Sequence, residues 1–200
     1  MSASASCEEP RIAVATELFP VDRKVDLVTV GHGTATETAF TELLVRTGLA
    51  LVIDVRSAPG SRRHPQFARG EMQRWLPENG IEYRWEPDLG GFRRPRPDSR
   101  NVALRNPSFR GFADYMEREE LKEALSALAS ETKERRVAIM CAESLWWRCH
   151  RRLIADAATI SSGLAVVHLD HQGRLHPHLL TDGVRAEDSG IVYDGVDARS

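Results

Sequence analysis

A run with no polar residue, Val137-Ala138-Ile139-Met140, ends abruptly on Cys141, Glu143 and Ser144, and a helical pattern resumes at Cys149. So short and continuous an apolar run reads as a fully buried strand. Strand, polar loop and helix in that order is how open α/β folds build sites at the carboxyl ends of their strands. Here the loop and helix start concentrate reactive groups: Cys141, Glu143, Arg148, Cys149, His150, Arg151 and Arg152 fall within twelve residues.

The rest of the chain repeats the alternation. Asp26 to Val30 reads as a first strand ending at Gly31-His32-Gly33-Thr34, after which Thr36 and Glu37 open a helix with an apolar face of Phe40, Leu43 and Leu44, closed at Gly48. Leu49 to Val55 is a second strand, too continuously apolar to be half exposed and therefore central and parallel. A helix is expected from Gly70 to Glu78, a short strand nearer an edge from Ile81 to Trp85, and helical spacing from Phe109 to about Ser130. Between them, Leu89 to Asn101 is a long aperiodic loop of the kind that serves as a lid. The helix after the fourth strand runs from Cys149 to about Ile160, and Ala165 to Leu169 is a fifth strand. Leu179-Leu180 and Ile191 to Tyr193 read as short antiparallel closing strands at an edge. The expected fold is α/β: a three-layer arrangement with a mainly parallel central sheet, helices on both faces and a short antiparallel edge near the C-terminus. The strands ending at Val30, Val55 and Met140 should be adjacent in its centre.

Two hundred residues with 42% hydrophobic content can bury one substantial core. One domain is expected over residues 25–195, behind a polar leader at 1–24 and before a tail at 196–200. The leader lacks the basic start and apolar centre of a signal peptide, and no apolar run is long enough to span a membrane, so a cytoplasmic protein with no membrane partner is expected. Three cysteines, one in the leader, make no disulfide framework, which leaves Cys141 and Cys149 as reduced thiols. The net charge of -2 conceals an uneven distribution: residues 56 to 110 hold twelve arginines and six acidic residues. A basic middle sits in an acidic chain, though 24 arginines against three lysines also fit plain compositional bias.

Several separate stretches resemble one family in the right order. They are Gly31-His32-Gly33-Thr34; Asp54-Val55-Arg56-Ser57 onward to Phe67; Leu89-Gly90-Gly91; Phe112 with Tyr115-Met116; Met140-Cys141-Ala142-Glu143; and Cys149-His150-Arg151-Arg152. Together, over about residues 27 to 180, they resemble the domain of unknown function 488 family. The resemblance implies an α/β domain and brings no established activity. One departure is that the family's first motif commonly reads Gly-His-Ser-Thr, whereas this chain has Gly33 at the serine position.

Chemistry is then argued from the residues. His32, Asp54 with Arg56, and Cys141 with Glu143 all stand at carboxyl ends of strands and should converge on one crevice. The candidate catalytic set is Cys141, Glu143, Cys149 and His150; the candidate binding set is His32, Asp54, Arg56, Ser57, Arg62, Arg63, Arg148 and Arg151. A phosphatase-like loop between Cys141 and Arg148 is disfavoured, because Leu145, Trp146 and Trp147 are bulky and no glycine lets amides turn inward on an anion. Cys149, opening a helix among arginines, has the better case for an activated thiol, and Cys141 should be the more protected. Three classes stay open: a cysteine-dependent enzyme on an anionic, phosphate-bearing small molecule or nucleic acid; a metal site drawing on Cys141, Cys149 and His150 with the later histidines or His32, although no compact paired spacing resembles a zinc finger; and a binding module carried by Arg56, Arg62, Arg63, Arg69, Arg93, Arg94 and Arg96 with Phe67 and Phe92. No cofactor or oligomeric state is legible. The late histidines, His168, His171, His176 and His178, read as surface turn residues.

Overall fold

The structure is a computed structural model that describes residues 25–60, 63–188 and 190–196. Its main sheet contains β1 (Leu27–Gly31), β2 (Leu51–Asp54), β3 (Glu82–Trp85), β4 (Val137–Cys141), β5 (Val166–Leu169) and β6 (Leu175–Pro177), in the order β3-β2-β4-β1-β5-β6. All neighbours are parallel except the β5/β6 pair, so β4 lies between β1 and β2 as the apolar runs require. In register, Gly31 faces Cys141 and Asp54 faces Met140, which brings the three strand ends level.

Strand side chains alternate between two cores. Leu27, Leu51, Ile53, Val137, Ile139 and Val166 pack on one face with α3 (Pro107–Tyr115), α4 (Glu119–Glu134) and α5 (Arg151–Ser162). Val28, Val30, Val52, Ala138, Met140 and Val167 pack on the other with α1 (Glu37–Arg46) and α2 (Arg69–Glu78). A period of two with both sets apolar is the pattern of a sheet covered on both sides. Thr36 caps α1 by accepting the Ala39 N–H at 3.2 Å, and Gly163, at φ 67°, closes α5 in the left-handed conformation that glycine adopts without strain.

Three local expectations are corrected. Helix α5 starts at Arg151 and not at Cys149: Trp146–Arg148 forms a single 3-10 turn, and Cys149 itself is extended (φ -125°, ψ 147°). Leu179 and Leu180 form no strand and are exposed; after Pro177 ends β6, the chain turns His178 inward to Asp156. Tyr193 belongs to an antiparallel hairpin of β7 (Val184–Glu187) and β8 (Gly190–Tyr193) that is separate from the main sheet. The leader, Arg62 and residues 197–200 lie outside the described residues. Among those described, no helix is long and apolar enough to cross a membrane.

Candidate functional site

The loops after β1, β2 and β4 meet at one end of the sheet. His32 N–H donates to Cys141 O at 3.0 Å, Gly33 N–H to Ala142 O at 2.9 Å and Val55 N–H to Met140 O at 2.9 Å. These bonds lace the three motifs together. Over them opens a cleft of about 330 Å³ lined by both cysteines, His150, Glu143, Arg148, Arg56 and Ser57, with Phe92, Asn106, Ser108 and Phe109 from the far wall. A second hollow, reaching His32, Arg63, His64 and Ser144, shares Arg56, Ala58, Ala142 and Glu143 with it.

The thiols form a cluster with His150: one ligating atom from each of Cys141, Cys149 and His150 lies within 4.8 Å of the others. Cys149 Sγ is 3.6 Å from His150 Nδ1 and accepts from Arg151 Nε at 3.4 Å. The other ring nitrogen of His150, Nε2, is 3.1 Å from both Val55 O and Leu89 O. Carbonyl oxygens only accept, so Nε2 carries a proton and Nδ1 is the atom turned toward the sulfur. Gly91 makes that orientation possible, since a Cβ there would lie 2.5 Å from the imidazole Cγ.

Hydrogen bonding to Cys141 holds the Cys149 thiol well below its usual range against the opposing effect of burial, with His150 and the charge of Arg151 adding to it. The same bond, with burial, pushes Cys141 well above. Of the two, Cys149 is the thiol whose anion the surroundings favour, and Cys141 is the donor to it. Exposure reverses the expectation from sequence: Cys149 is the buried thiol, at 4% exposure, and Cys141 is the more accessible. Cys149 also sits two residues ahead of α5, so its support comes chiefly from Cys141, His150 and Arg151.

Several candidate binding residues have other work. Arg151 is 1% exposed, its guanidinium bonded to Cys149 Sγ and Glu143 O, and it does not reach a ligand. Asp54, fully buried, accepts from Arg56 N at 3.1 Å, Arg56 Nε at 2.8 Å, Arg56 Nη2 at 2.5 Å and Tyr83 Oη at 2.7 Å, which fills the four acceptor positions of a carboxylate. Arg56 is correspondingly engaged, donating also to Phe67 O and standing 3.3 Å from His32 Nε2, so it has no free edge for a bidentate phosphate clamp. His32 stacks on Phe67 at 4.2 Å, and burial and the neighbouring Arg56 lower its pKa to about 4. These residues support the floor of the cleft. Ser57 accepts the Phe92 N–H at 3.2 Å, Glu143 accepts the Leu145 N–H at 3.0 Å, and Arg148 and Arg63 are exposed on the rims.

The arginine stripe is largely spent inside the chain: Arg96 on Glu117, Arg69 over Trp85 at 4.4 Å and Arg93 over Tyr115 at 4.1 Å. The expected lid is fastened as well, because buried Asp114 accepts from Arg96 N, Ser99 Oγ and Asn101 Nδ2 at 2.8, 2.6 and 2.8 Å. The late histidines are not surface turns as a group. His168 is 1% exposed and joins Thr29, His178, Asp156 and Tyr193 in one buried hydrogen-bonded chain, with Trp146 stacked 4.9 Å from both His168 and His176. Phe92, expected as an aromatic face for a ligand, does line the cleft; sequence reading missed Asn106, Ser108 and Phe109 beside it.

Gly33, at φ 52°, takes a conformation that suits glycine, and a Cβ there would lie 1.9 Å from Ser144 Oγ. The hydroxyl of Ser144 occupies the place where a side chain at position 33 would begin.

Neither a search of curated proteins nor one of solved structures gives a match. A family model described as domain of unknown function DUF488 matches residues 36–158, from the start of α1 to within α5 and across both cysteines. That match covers more than half of the chain, which therefore belongs to the DUF488 family.

Proposed function

We propose that this protein is a cysteine-dependent enzyme acting on a small anionic, phosphate-bearing substrate, a nucleotide or a nucleic-acid end, bound in the cleft over β4. The observation that carries the reading is the placement of Cys149 Sγ against His150 Nδ1 and Arg151 Nε beside a cleft that Arg148 rims. Cysteine chemistry needs a base or cation at the sulfur and a pocket in front of it, and both are present.

Cys149 is assigned as nucleophile. His150 Nδ1 takes its proton and returns it to the leaving group, and Cys141 donates its S–H to the sulfur between turnovers. The new bond runs from Cys149 Sγ to the electrophilic centre of the substrate, the bond to the leaving group breaks, and water later releases the acylated or phosphorylated sulfur. Arg148, exposed on the rim, meets the substrate anion, while Phe92 and Phe109 offer apolar faces to the rest. Glu143 lines the cleft and touches Cys141 through its backbone, but its carboxylate is spent on the Leu145 N–H, which makes His150 the proton-transfer partner.

The test is iodoacetamide labelling of chelator-stripped, reduced protein, mapped by mass spectrometry at about one pH unit or more below the ordinary thiol range. The Cys141/Cys149 pair should label there while Cys7 stays inert, nucleoside monophosphates should slow the labelling, and Arg148→Ala should remove that protection. Labelling of the pair no faster than Cys7, or protection by no phosphate compound, overturns the proposal.

A further inference from the structure

Beyond the thiol reading, the geometry points to a second chemistry at the same three atoms: Cys141 Sγ, Cys149 Sγ and His150 Nδ1 form a site for zinc or a similar borderline divalent cation, open to the cleft at its remaining position. One ligating atom from each residue lies within 4.8 Å of the other two, and no other cluster of this kind occurs among the described residues. A tetrahedral zinc ion with Zn–S about 2.3 Å and Zn–N about 2.0–2.1 Å sets an S···N edge of about 3.5 Å. The Cys149 Sγ to His150 Nδ1 separation is 3.6 Å, so those two ligands already stand at the required spacing.

The surroundings complete the argument. A ligating histidine ordinarily donates its other N–H to a carbonyl or carboxylate, which fixes the ring, and His150 Nε2 does this to Val55 O and Leu89 O, each at 3.1 Å. The N–H of Arg151 Nε on Cys149 Sγ at 3.4 Å is the corresponding outer bond to a thiolate ligand. Cys141 ends the central strand β4, and Cys149 and His150 are both buried just ahead of α5, so little ordering is left for the ion to impose. Two sulfurs and one imidazole select zinc-like cations over magnesium or calcium. The later histidines are no rival site, because the ring nitrogens of His168 and His178 are taken by Thr29, each other and Asp156, and His176 Nε2 is taken by Asp170.

All three ligand residues line the cleft, so the fourth position faces the space that a water or an anionic ligand enters. An occupied centre has both sulfurs coordinated, and metal and alkylating agent compete for the same thiols.

The experiment is a Co²⁺ titration of the full-length, reduced, chelator-stripped protein, followed by Zn²⁺ displacement. The expected result is saturation at one equivalent, with thiolate-to-cobalt charge-transfer absorption and the strong visible bands of a tetrahedral site, both abolished by one equivalent of Zn²⁺. Cys141→Ser and Cys149→Ser should each weaken binding by about tenfold or more, as losses at a ligand or its support do, while Cys7→Ser changes nothing. X-ray absorption on the zinc-loaded wild-type protein keeps the test decisive if a variant misfolds: two sulfurs at about 2.3 Å are expected. No charge-transfer band with excess Co²⁺, a band that survives in the Cys141→Ser/Cys149→Ser double variant, or a zinc shell of nitrogen and oxygen alone overturns the inference. The labelling test of the thiol enzyme uses metal-free protein, so each proposal can fail without the other.

Discussion

Lowering the pH from 7 to 5 should remove a large part of this protein's stability through two buried neutral histidines. His32 is 2% exposed, and its Nδ1 lies 3.0 Å from Gly33 O. That carbonyl requires Nδ1–H, which leaves Nε2 as the acceptor of the Arg56 guanidinium at 3.3 Å. A second proton on Nε2 would face a fixed cation, with His64 nearby and the Gly33 carbonyl and Asp54 opposing, and burial with Arg56 lowers the pKa from 6.5 to about 4. His168 is 1% exposed; burial first, then His178, Arg151 and His176, lower it from 6.5 to about 3, with Cys149 acting the other way. Because the unfolded chain binds these protons and the folded one does not, the stabilisation is complete above the unfolded value and is lost as pH falls toward the folded values. By pH 5 the linkage amounts to about 2 kcal/mol for each histidine, or on the order of 4 kcal/mol together. Equilibrium denaturant unfolding at constant ionic strength measures it, and Asp170, lowered to about 2, titrates below this window. The wild type should lose about 4 kcal/mol between pH 7 and 5, and His32→Gln and His168→Gln about 2 kcal/mol less each. A wild-type midpoint unchanged over this range, or a His32 variant that loses as much as wild type, would refute the reasoning.

Three substitutions probe other parts of the assembly. Gly91→Ala drives a methyl into the His150 ring and should cost about 1–3 kcal/mol while displacing Nδ1 from Cys149, read as slower low-pH labelling of the thiol pair. Asp54→Ala leaves the buried Arg56 guanidinium unpaired and should lower stability by about 3–5 kcal/mol in urea unfolding; a loss under about 1 kcal/mol would show that the pair is not the anchor inferred here. Asp156→Ala removes the acceptor shared by His178, Thr181 N and Tyr193 Oη, and at about 1–3 kcal/mol per orphaned donor should cost at least about 3 kcal/mol, read from thermal melting.

Much of this architecture was legible because the fold is written in runs that admit one interpretation. Leu51–Asp54 and Val137–Cys141 have almost no polar face, so they had to lie side by side in the interior, and parallel pairing then brings their ends level. What local pattern does not carry is which distant group a polar residue meets. Nothing near Asp114 shows that it will bind residues 96 to 101 and fasten a loop that reads as a lid. The arginines show the same limit: Arg56 and Arg148 look alike in sequence, yet one is paired with a fully buried aspartate and the other is exposed on the cleft. The start of α5 was misplaced for a related reason, since the 3-10 turn at Trp146–Arg148 is held by Trp146 stacking on His168 and His176, residues twenty and more positions away.

The fate of Arg151 joins the fold to the site. A guanidinium cannot shed its proton at any ordinary pH, so burying one demands negative charge beside it or a full set of acceptors. Among the described residues no carboxylate bonds Arg151; its side-chain partners are Glu143 O and Cys149 Sγ. Of these only the sulfur can become an anion, and Cys141 stands ready to donate to it once it does. The packing of α5 onto β4 that completes the core on that face thus sets a permanent cation against Cys149 Sγ, the placement on which the proposed chemistry of that thiol rests. Arg151 lies buried beneath the floor, while Arg148 is the arginine exposed on the cleft rim, the place from which the proposed function has it meet a ligand.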